Sequence, residues 1–155
     1  MTEKILYTPR EVELLCLKGE VVLIDIREEE IYALGHIPQA VNMPEIFHYL
    51  GTSTPAGLNE MHRTFQSLFA KAGVTAEVPV IFYEESMDSR YGSSCRGYWL
   101  LTYLGHPKAG ILDGGFIAWE EESMPVDALP VTPKPEWPIR EMNSPLRTFR
   151  SNSSP

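Results

Sequence analysis

The fold of this chain is decided by the stretch Val21-Val22-Leu23-Ile24-Asp25-Ile26-Arg27. Its first four residues are all apolar and mostly β-branched, without the polar–apolar alternation of a half-exposed strand. Such a run is typical of a strand that is covered on both faces, as in a parallel sheet. Asp25 and Arg27 follow at its carboxyl end, where ligand sites form in open α/β sheets.

Predicted strands and helices alternate along the rest of the chain. Thr8, Pro9 and Glu11 have the pattern of a capping box, and Asn59 is the predicted cap of a second, longer helix. The sequence predicts further strands at 40–42, 80–83 and 109–112, and helices at 9–18, 60–72, 94–104 and 116–122. This alternation predicts an α/β fold with a mostly parallel sheet.

Composition limits the classes of function. The chain has 155 residues, 43% of them hydrophobic, and a formal net charge of −8. These values predict a globular domain and argue against a nucleic-acid partner. The first residues lack the pattern of a signal peptide, and no apolar run is long enough to cross a bilayer. We therefore expect no nucleic-acid or membrane partner and a cytoplasmic location.

The cysteines and histidines show no metal-site spacing. Cys16 and Cys95 lie far apart, and the four histidines are dispersed. We therefore predict no metal, no cofactor and no disulfide framework.

The amino-acid composition of the sequence changes near Met124. Seven of the 13 prolines fall in residues 124–155, and this segment has a formal charge of +1, whereas residues 1–123 have −9. We predict a domain at 1–126 and a proline-rich tail or linker at 127–155. The tail either lies on the acidic domain, anchored by Trp137, or is a stalk.

A polar loop from Glu84 to Ser94 connects the strand 80–83 with a helix that begins near Cys95. Backbone N–H groups at a helix start and the positive end of its dipole favour an anion or a thiolate. Cys95 is therefore a candidate nucleophile with a lowered pKa, and Arg90 and Arg96 are candidates for binding an anionic substrate. A small packed residue is the alternative for Cys95.

The remaining candidate residues have structural alternatives. We expect Asp25 and Arg27 to pair with each other or with loop backbone rather than to act in catalysis. The glycines of Asp113-Gly114-Gly115 allow close backbone approach or positive φ, which a plain strand-to-helix turn also uses. His36 and His106 are expected to be structural residues of turns.

Several motifs occur in the order and spacing of one family: Leu23-Ile24-Asp25-Ile26-Arg27, Gly35-His36-Ile37-Pro38-Gln39-Ala40, Val80–Tyr83, Leu104-Gly105-His106 and Leu112-Asp113-Gly114-Gly115-Phe116-Ile117-Ala118-Trp119. From about Tyr7 to Val126 the chain resembles the rhodanese family. Arg96–Leu101 further resembles the N-terminal half-domains of thiosulfate and mercaptopyruvate sulfurtransferases. The resemblance implies a three-layer fold with about five strands, and a small sulfur donor such as thiosulfate, or a persulfide-carrying protein, as partner.

The family's catalytic cysteine directly follows the strand that is here Val80–Tyr83, and it accepts sulfane sulfur as a persulfide. This chain has Glu84 there, which has no sulfur and whose charge repels thiosulfate. One interpretation is a non-catalytic module for docking, regulation or support of a catalytic partner. The other is that Cys95 is a displaced nucleophile. Whether the chain is an enzyme stays open. Gln39 stands where the family usually has glycine, which affects only the local turn.

Overall fold

Five strands form one sheet in the computed structural model, which describes residues 4–48, 54–86 and 93–128. The strands are β1 (Leu6–Tyr7), β2 (Val22–Asp25), β3 (Val41–Asn42), β4 (Val80–Tyr83) and β5 (Ala109–Leu112). All neighbouring pairs are parallel, and the order across the sheet is β1-β5-β4-β2-β3. The predicted α/β fold with a parallel sheet of about five strands is confirmed.

The sequence did not indicate β1, because two residues are too short to show a period. Tertiary pairing with β5 defines this strand. The Ile111 N–H donates to the Ile5 carbonyl at 2.7 Å, and the Asp113 N–H donates to the Tyr7 carbonyl at 2.8 Å.

Within the described ranges, six helices connect and cover the strands: α1 (Pro9–Lys18), α2 (Glu29–Leu34), α3 (Glu45–His48), α4 (Pro55–Lys71), α5 (Ser93–Tyr103) and α6 (Gly115–Glu121). The capping box of α1 is confirmed. The Thr8 hydroxyl accepts from the Glu11 N–H at 3.2 Å, and the Glu11 carboxylate accepts from the Thr8 N–H at 2.9 Å. Gly19 ends this helix with a left-handed φ of 69°.

The predicted cap of α4 is wrong. Asn59 lies inside the helix, which begins at Pro55. Thr54 is the cap, since its hydroxyl accepts from the Gly57 N–H at 3.1 Å. The combination of a capping threonine and a proline at the first helical position starts the helix here, and Gly57 in the first turn does not prevent it.

Side chains of the central strands alternate between two apolar clusters, one on each face of the sheet. Val80 and Phe82 of β4 belong to a cluster with residues of α3, α4 and α5. Ile81 and Tyr83 belong to a second cluster, with residues of α1, α2 and α6. The helices therefore form a layer on each side of the sheet, which confirms the three-layer arrangement.

The chain returns across the domain after α6. The Trp119 indole N–H donates to the Pro125 carbonyl at 2.7 Å. His36 and Asp127 then exchange two backbone hydrogen bonds, of 2.7 and 2.8 Å. The described chain is thus paired one residue past the predicted boundary at 126. The predicted tail from residue 129 onward, including Trp137, lies outside the described residues, so the domain limits stay a prediction.

Across the three described ranges, no helix combines the length and the apolar character that a membrane crossing requires.

Candidate functional site

Glu84 directly follows β4 at the carboxyl edge of the sheet and is only 1% exposed. Its carboxylate accepts hydrogen bonds from the Ser94 N–H at 3.0 Å and from the Ser94 hydroxyl at 2.6 Å. Ser94 lies in the first turn of α5, where backbone N–H groups lack partners within the helix and the dipole favours negative charge. The chain's own carboxylate therefore binds the helix start, where the sequence suggested an anion or a thiolate.

The close packing of α5 on β4 sets this geometry. A Cβ atom at Gly97 of α5 would lie 2.6 Å from the Phe82 ring of β4, closer than real Cβ atoms approach. Glycine at this position lets the helix lie directly on the strand. The helix start is therefore brought within hydrogen-bonding distance of the residue that follows the strand.

The backbone at the end of β4 is fastened to the start of α6. The Phe116 N–H donates to the Glu84 carbonyl at 2.8 Å, and the Ile117 N–H donates to the Glu85 carbonyl at 2.9 Å. Gly115 makes this contact possible, because its φ is +67° and a Cβ there would lie 2.5 Å from the Glu84 carbonyl oxygen. Both uses expected for glycine here, positive φ and close backbone approach, are thus present.

Asp113, a predicted residue of the site, is exposed. Its backbone N–H is used in the contact with β1, as the Tyr7 carbonyl accepts it. The structure thus places Asp113 at the beginning of the turn that leads into α6, and its role in a site stays a prediction.

Asp25 and Arg27 pair at the end of β2, as predicted. The Arg27 guanidinium donates to the Asp25 carboxylate at 2.7 to 3.1 Å, and also to the Gly35 carbonyl at 2.7 Å and to Glu85 at 2.9 Å. It lies 4.2 Å from the centre of the Phe116 ring. Asp25 is fully buried and Arg27 is 3% exposed.

Burial by itself lowers the pKa of Arg27, but the hydrogen bonds and charge of Asp25, together with Glu85, raise it above its ordinary value. Arg27 therefore stays charged. Tyr83 accepts a hydrogen bond from the Ile37 N–H at 3.1 Å beside this pair. Its burial, and then the charge of Asp25, raise its pKa well above the ordinary value, so it stays a neutral phenol.

The two cysteines differ in environment. Cys95 follows Ser94 in the first turn of α5 and is exposed. Cys16 is partly buried, and burial together with Glu13 raises its thiol pKa to about 11. At neutral pH the Cys16 thiol is therefore protonated and a poor nucleophile. Arg96 is exposed on α5, and Arg90 lies outside the described residues. Whether Cys95, Arg96 and Arg90 form one site stays a prediction.

The two expected structural histidines make backbone contacts. The His106 ring accepts from the Lys108 N–H at 3.0 Å, and its other nitrogen lies 2.6 Å from the Thr75 carbonyl. The buried His36 ring is 3.0 Å from the Tyr32 carbonyl. In the part of the chain that the structure describes, no three His, Cys, Asp or Glu residues are grouped to hold a metal ion.

The family model of the rhodanese-like domain matches residues 8–122. The chain belongs to the rhodanese-like domain family. It is 30% identical over 118 residues to the thiosulfate sulfurtransferase of Azotobacter vinelandii, which covers 76% of this chain and 42% of that protein. Against the thiosulfate sulfurtransferase of Pseudomonas aeruginosa it is 30% identical over 108 residues, or 70% of this chain and 39% of that protein.

Solved structures have the same fold. SseA from Escherichia coli, a 3-mercaptopyruvate sulfotransferase, superposes with a TM-score of 0.67 at 23% identity, over 84% of this chain and 53% of that chain. YnjE superposes with the same TM-score of 0.67 at 20% identity, over 84% of this chain and 32% of that chain. Of the two thiosulfate sulfurtransferases named above, this chain spans only about two fifths of the length.

Two departures from the family resemblance have a structural outcome. Gln39, where the family usually has glycine, has a φ of 77°, so the turn keeps a left-handed conformation that suits glycine. By the family resemblance Glu84 stands at the position expected for the catalytic cysteine, and this correspondence stays a prediction. The first departure affects a turn, whereas the second places a buried carboxylate directly after β4.

Sequence reasoning named Glu84 but missed its partner Ser94 and the role of Glu85. The sequence predicts Ser94 only as the start of a helix, where serine is common, and gives no sign that its N–H and hydroxyl bind Glu84. Glu85 joins Arg27 across 58 residues, and no local sequence pattern reports such a contact.

Proposed function

We propose that this rhodanese-like domain is a module of the sulfurtransferase family that carries no sulfur itself and acts by docking to, or supporting, a catalytic partner. The observation that carries the proposal is the Glu84 carboxylate, buried to 1% exposure after β4 and hydrogen-bonded to the start of α5.

The chemistry of persulfide formation explains why this observation matters. A thiolate attacks the sulfane sulfur of thiosulfate, the sulfur–sulfur bond breaks, and sulfite leaves with the electron pair. The Glu84 carboxylate has no sulfur atom to hold the transferred one. Its negative charge also opposes the approach of an anionic donor, which thiosulfate and mercaptopyruvate both are.

The hydrogen-bond donors at the helix start support the same conclusion. Anion stabilisation in a transferase site needs donors that are directed at the place where charge develops. The Ser94 N–H and hydroxyl are instead directed at Glu84. We infer that the domain keeps the form of an anion site whose helix start is occupied by its own Glu84 carboxylate.

The length of the relatives supports a partner domain. The two curated thiosulfate sulfurtransferases are more than twice as long as the part that this chain matches. The unmatched part of such proteins is long enough for another domain, since a domain typically has 50–250 residues. A catalytic cysteine on a partner is therefore consistent with the proposal, and a persulfide-carrying protein or an anionic sulfur donor would then meet that partner.

Sulfur transfer to the wild-type chain tests the proposal directly. After incubation with thiosulfate or 3-mercaptopyruvate, we expect intact mass spectrometry to show no added sulfur atom. Cys95→Ser and Cys16→Ser serve as matched variants. A wild-type chain that gains sulfur, when Cys95→Ser does not, would show that the exposed Cys95 is a displaced nucleophile and that the proposal is wrong.

A second experiment restores the missing group. We expect Glu84→Cys to gain one sulfur atom from thiosulfate, whereas Glu84→Ser, which differs from it only in oxygen for sulfur, gains none. Absence of sulfur in folded Glu84→Cys would mean that the position after β4 is not the reason for inactivity.

A further inference from the structure

A cleft lies between α2, α6 and the end of β4, beside the residues of the candidate site. We call it the α2–α6 cleft, and its volume is about 540 Å³. Its lining includes Arg27, Ile31, Leu34, Glu85, Phe116 and Glu120. Three separate parts of the fold thus form a single concave surface.

Aliphatic side chains on the walls of this cleft are exposed to solvent. Leu34 is 81% exposed, Val126 is 46% exposed and Ile31 is 42% exposed. Single exposed apolar residues are normal on a protein surface, but several around one cleft mark an interaction surface. The cleft therefore presents apolar area that a partner could cover.

The floor of the cleft is held in place before any partner binds. Arg27 is fixed by Asp25, by Glu85 and by the Gly35 carbonyl. Its guanidinium lies 4.2 Å from the centre of the Phe116 ring. A floor fixed in this way loses little conformational entropy on binding, which favours affinity.

The charge of the cleft selects the kind of partner. Among the described residues that line the cleft, Arg27 is the cation and Glu28, Glu85 and Glu120 are the anions, for a formal charge of −2. The buried Asp25 forms an ion pair with Arg27 and so offsets its positive charge. A cleft with this balance disfavours small anions and complements positive charge.

We propose that the α2–α6 cleft is the docking site for a protein segment that carries lysine or arginine next to aliphatic residues. The aliphatic residues cover Leu34, Ile31 and Val126, and the basic residues lie near the glutamates of the rim. The inference rests on the proposed function in one respect, since a module without its own sulfur chemistry acts through a partner.

The test uses a random peptide library displayed on phage as the probe and the full chain as bait. We expect the selected peptides to be enriched in lysine or arginine beside leucine, isoleucine or valine. The best peptide is then synthesised, and its dissociation constant is measured by fluorescence anisotropy against variants of the chain.

The chain offers a matched pair of leucines for this measurement. Leu34 is 81% exposed inside the cleft, and Leu17 is 77% exposed on α1, outside it. We expect Leu34→Ser to weaken peptide binding about tenfold or more and Leu17→Ser to leave it unchanged, because interface cores hold most of the binding energy.

A second pair tests the charge. Glu120 lines the cleft and its exposed neighbour Glu121 does not. We expect Glu120→Gln to weaken binding and to reduce its dependence on salt, with no change for Glu121→Gln.

Three results would overturn the inference: no binding peptide, enrichment of acidic or uncharged peptides, or equal effects within both pairs. The sulfur-transfer assay is run on the same variants and reports only on the proposed function. If the wild type binds the peptide and also takes up sulfur, the proposed function is wrong. If it does neither, only the docking site is wrong.

Discussion

Two buried carboxylates lie at the ends of neighbouring strands, and the protein stabilises them differently. Asp25, the last residue of β2, pairs with Tyr83 in the sheet register, and Glu84 follows Tyr83. Asp25 forms an ion pair with Arg27, which carries a full positive charge. Glu84 is bonded to the N–H and the hydroxyl of Ser94 at a helix start. A buried carboxylate needs compensation, and here an ion pair compensates one and a helix terminus the other.

The largest expected effect tests the ion pair. Asp25→Asn should lower the free energy of unfolding by roughly 3–5 kcal/mol, because it leaves Arg27 as a buried cation with a neutral neighbour. Urea unfolding followed by circular dichroism measures this change.

Glu85→Gln is the matched control for that variant. It removes the other carboxylate that Arg27 contacts, but the Glu85 side chain is 41% exposed. Exposed ion pairs contribute about 0–1 kcal/mol, so we expect a small change. Equal losses for the two variants would contradict the central role of Asp25 at the end of β2.

The next prediction concerns how the end of β4 is held. Gly115→Ala should cost about 2–4 kcal/mol, because the new methyl group would overlap the Glu84 carbonyl in addition to the positive-φ strain. Gly19→Ala has a similar φ of +69° with nothing within 4 Å of the added atom. It should cost only about 1 kcal/mol. Similar thermal unfolding midpoints for the two variants would argue against a tight contact at Gly115.

A smaller effect tests the helix terminus. Glu84→Gln keeps the shape of the side chain and an oxygen acceptor but removes the charge. We expect a loss of about 1–2 kcal/mol, because the amide is a weaker acceptor and interacts less with the helix dipole. Urea unfolding of this variant and of Asp25→Asn compares directly how much a helix start and an ion pair stabilise a buried carboxylate. A loss as large as that of Asp25→Asn would mean that a helix start holds a carboxylate as strongly as an arginine does.

The smallest prediction concerns the buried side chain of His106. His106, whose ring nitrogen accepts from Lys108, has a pKa below its ordinary 6.5, chiefly because of burial and also because of the Lys108 charge. As pH falls below 6.5 the unfolded chain binds this proton first, so the free energy of unfolding decreases; above 6.5 both states are neutral. Unfolding curves between pH 7 and pH 5 should show a weaker pH dependence for His106→Gln. An unchanged dependence would assign acid sensitivity to other groups.

Much of this fold could be predicted from local sequence. β4 and β5 have the predicted limits, because continuous apolar runs bounded by turns define buried strands. The short β1 could not be found in this way, since only its pairing with β5 makes it a strand. The sequence predicts the start of α4 too late, because Gly57 in the first turn suggests a loop although Thr54 and Pro55 are good helix-start residues.

In the candidate site, too, local sequence predicts some contacts and tertiary packing decides the others. The pairing of Asp25 with Arg27 could be predicted, since the two residues are two positions apart at a strand end. The partner of Glu84 could not, because Ser94 is ten positions away and no local sequence pattern reports a contact at that separation. The apposition of Gly115 to the Glu84 carbonyl depends on the packing of two separate strand ends, which no sequence window contains.

The strand order has a consequence for how the domain acquires its structure. Among the described strands, β1 is the first along the chain and pairs with β5, the last. Contacts between distant parts of a chain form slowly, because the long loop must close first. During synthesis, which starts at the N-terminus, the segment at Leu6–Tyr7 must therefore wait for Ala109–Leu112 to leave the ribosome. The first strand to be synthesised is thus among the last to pair in the sheet.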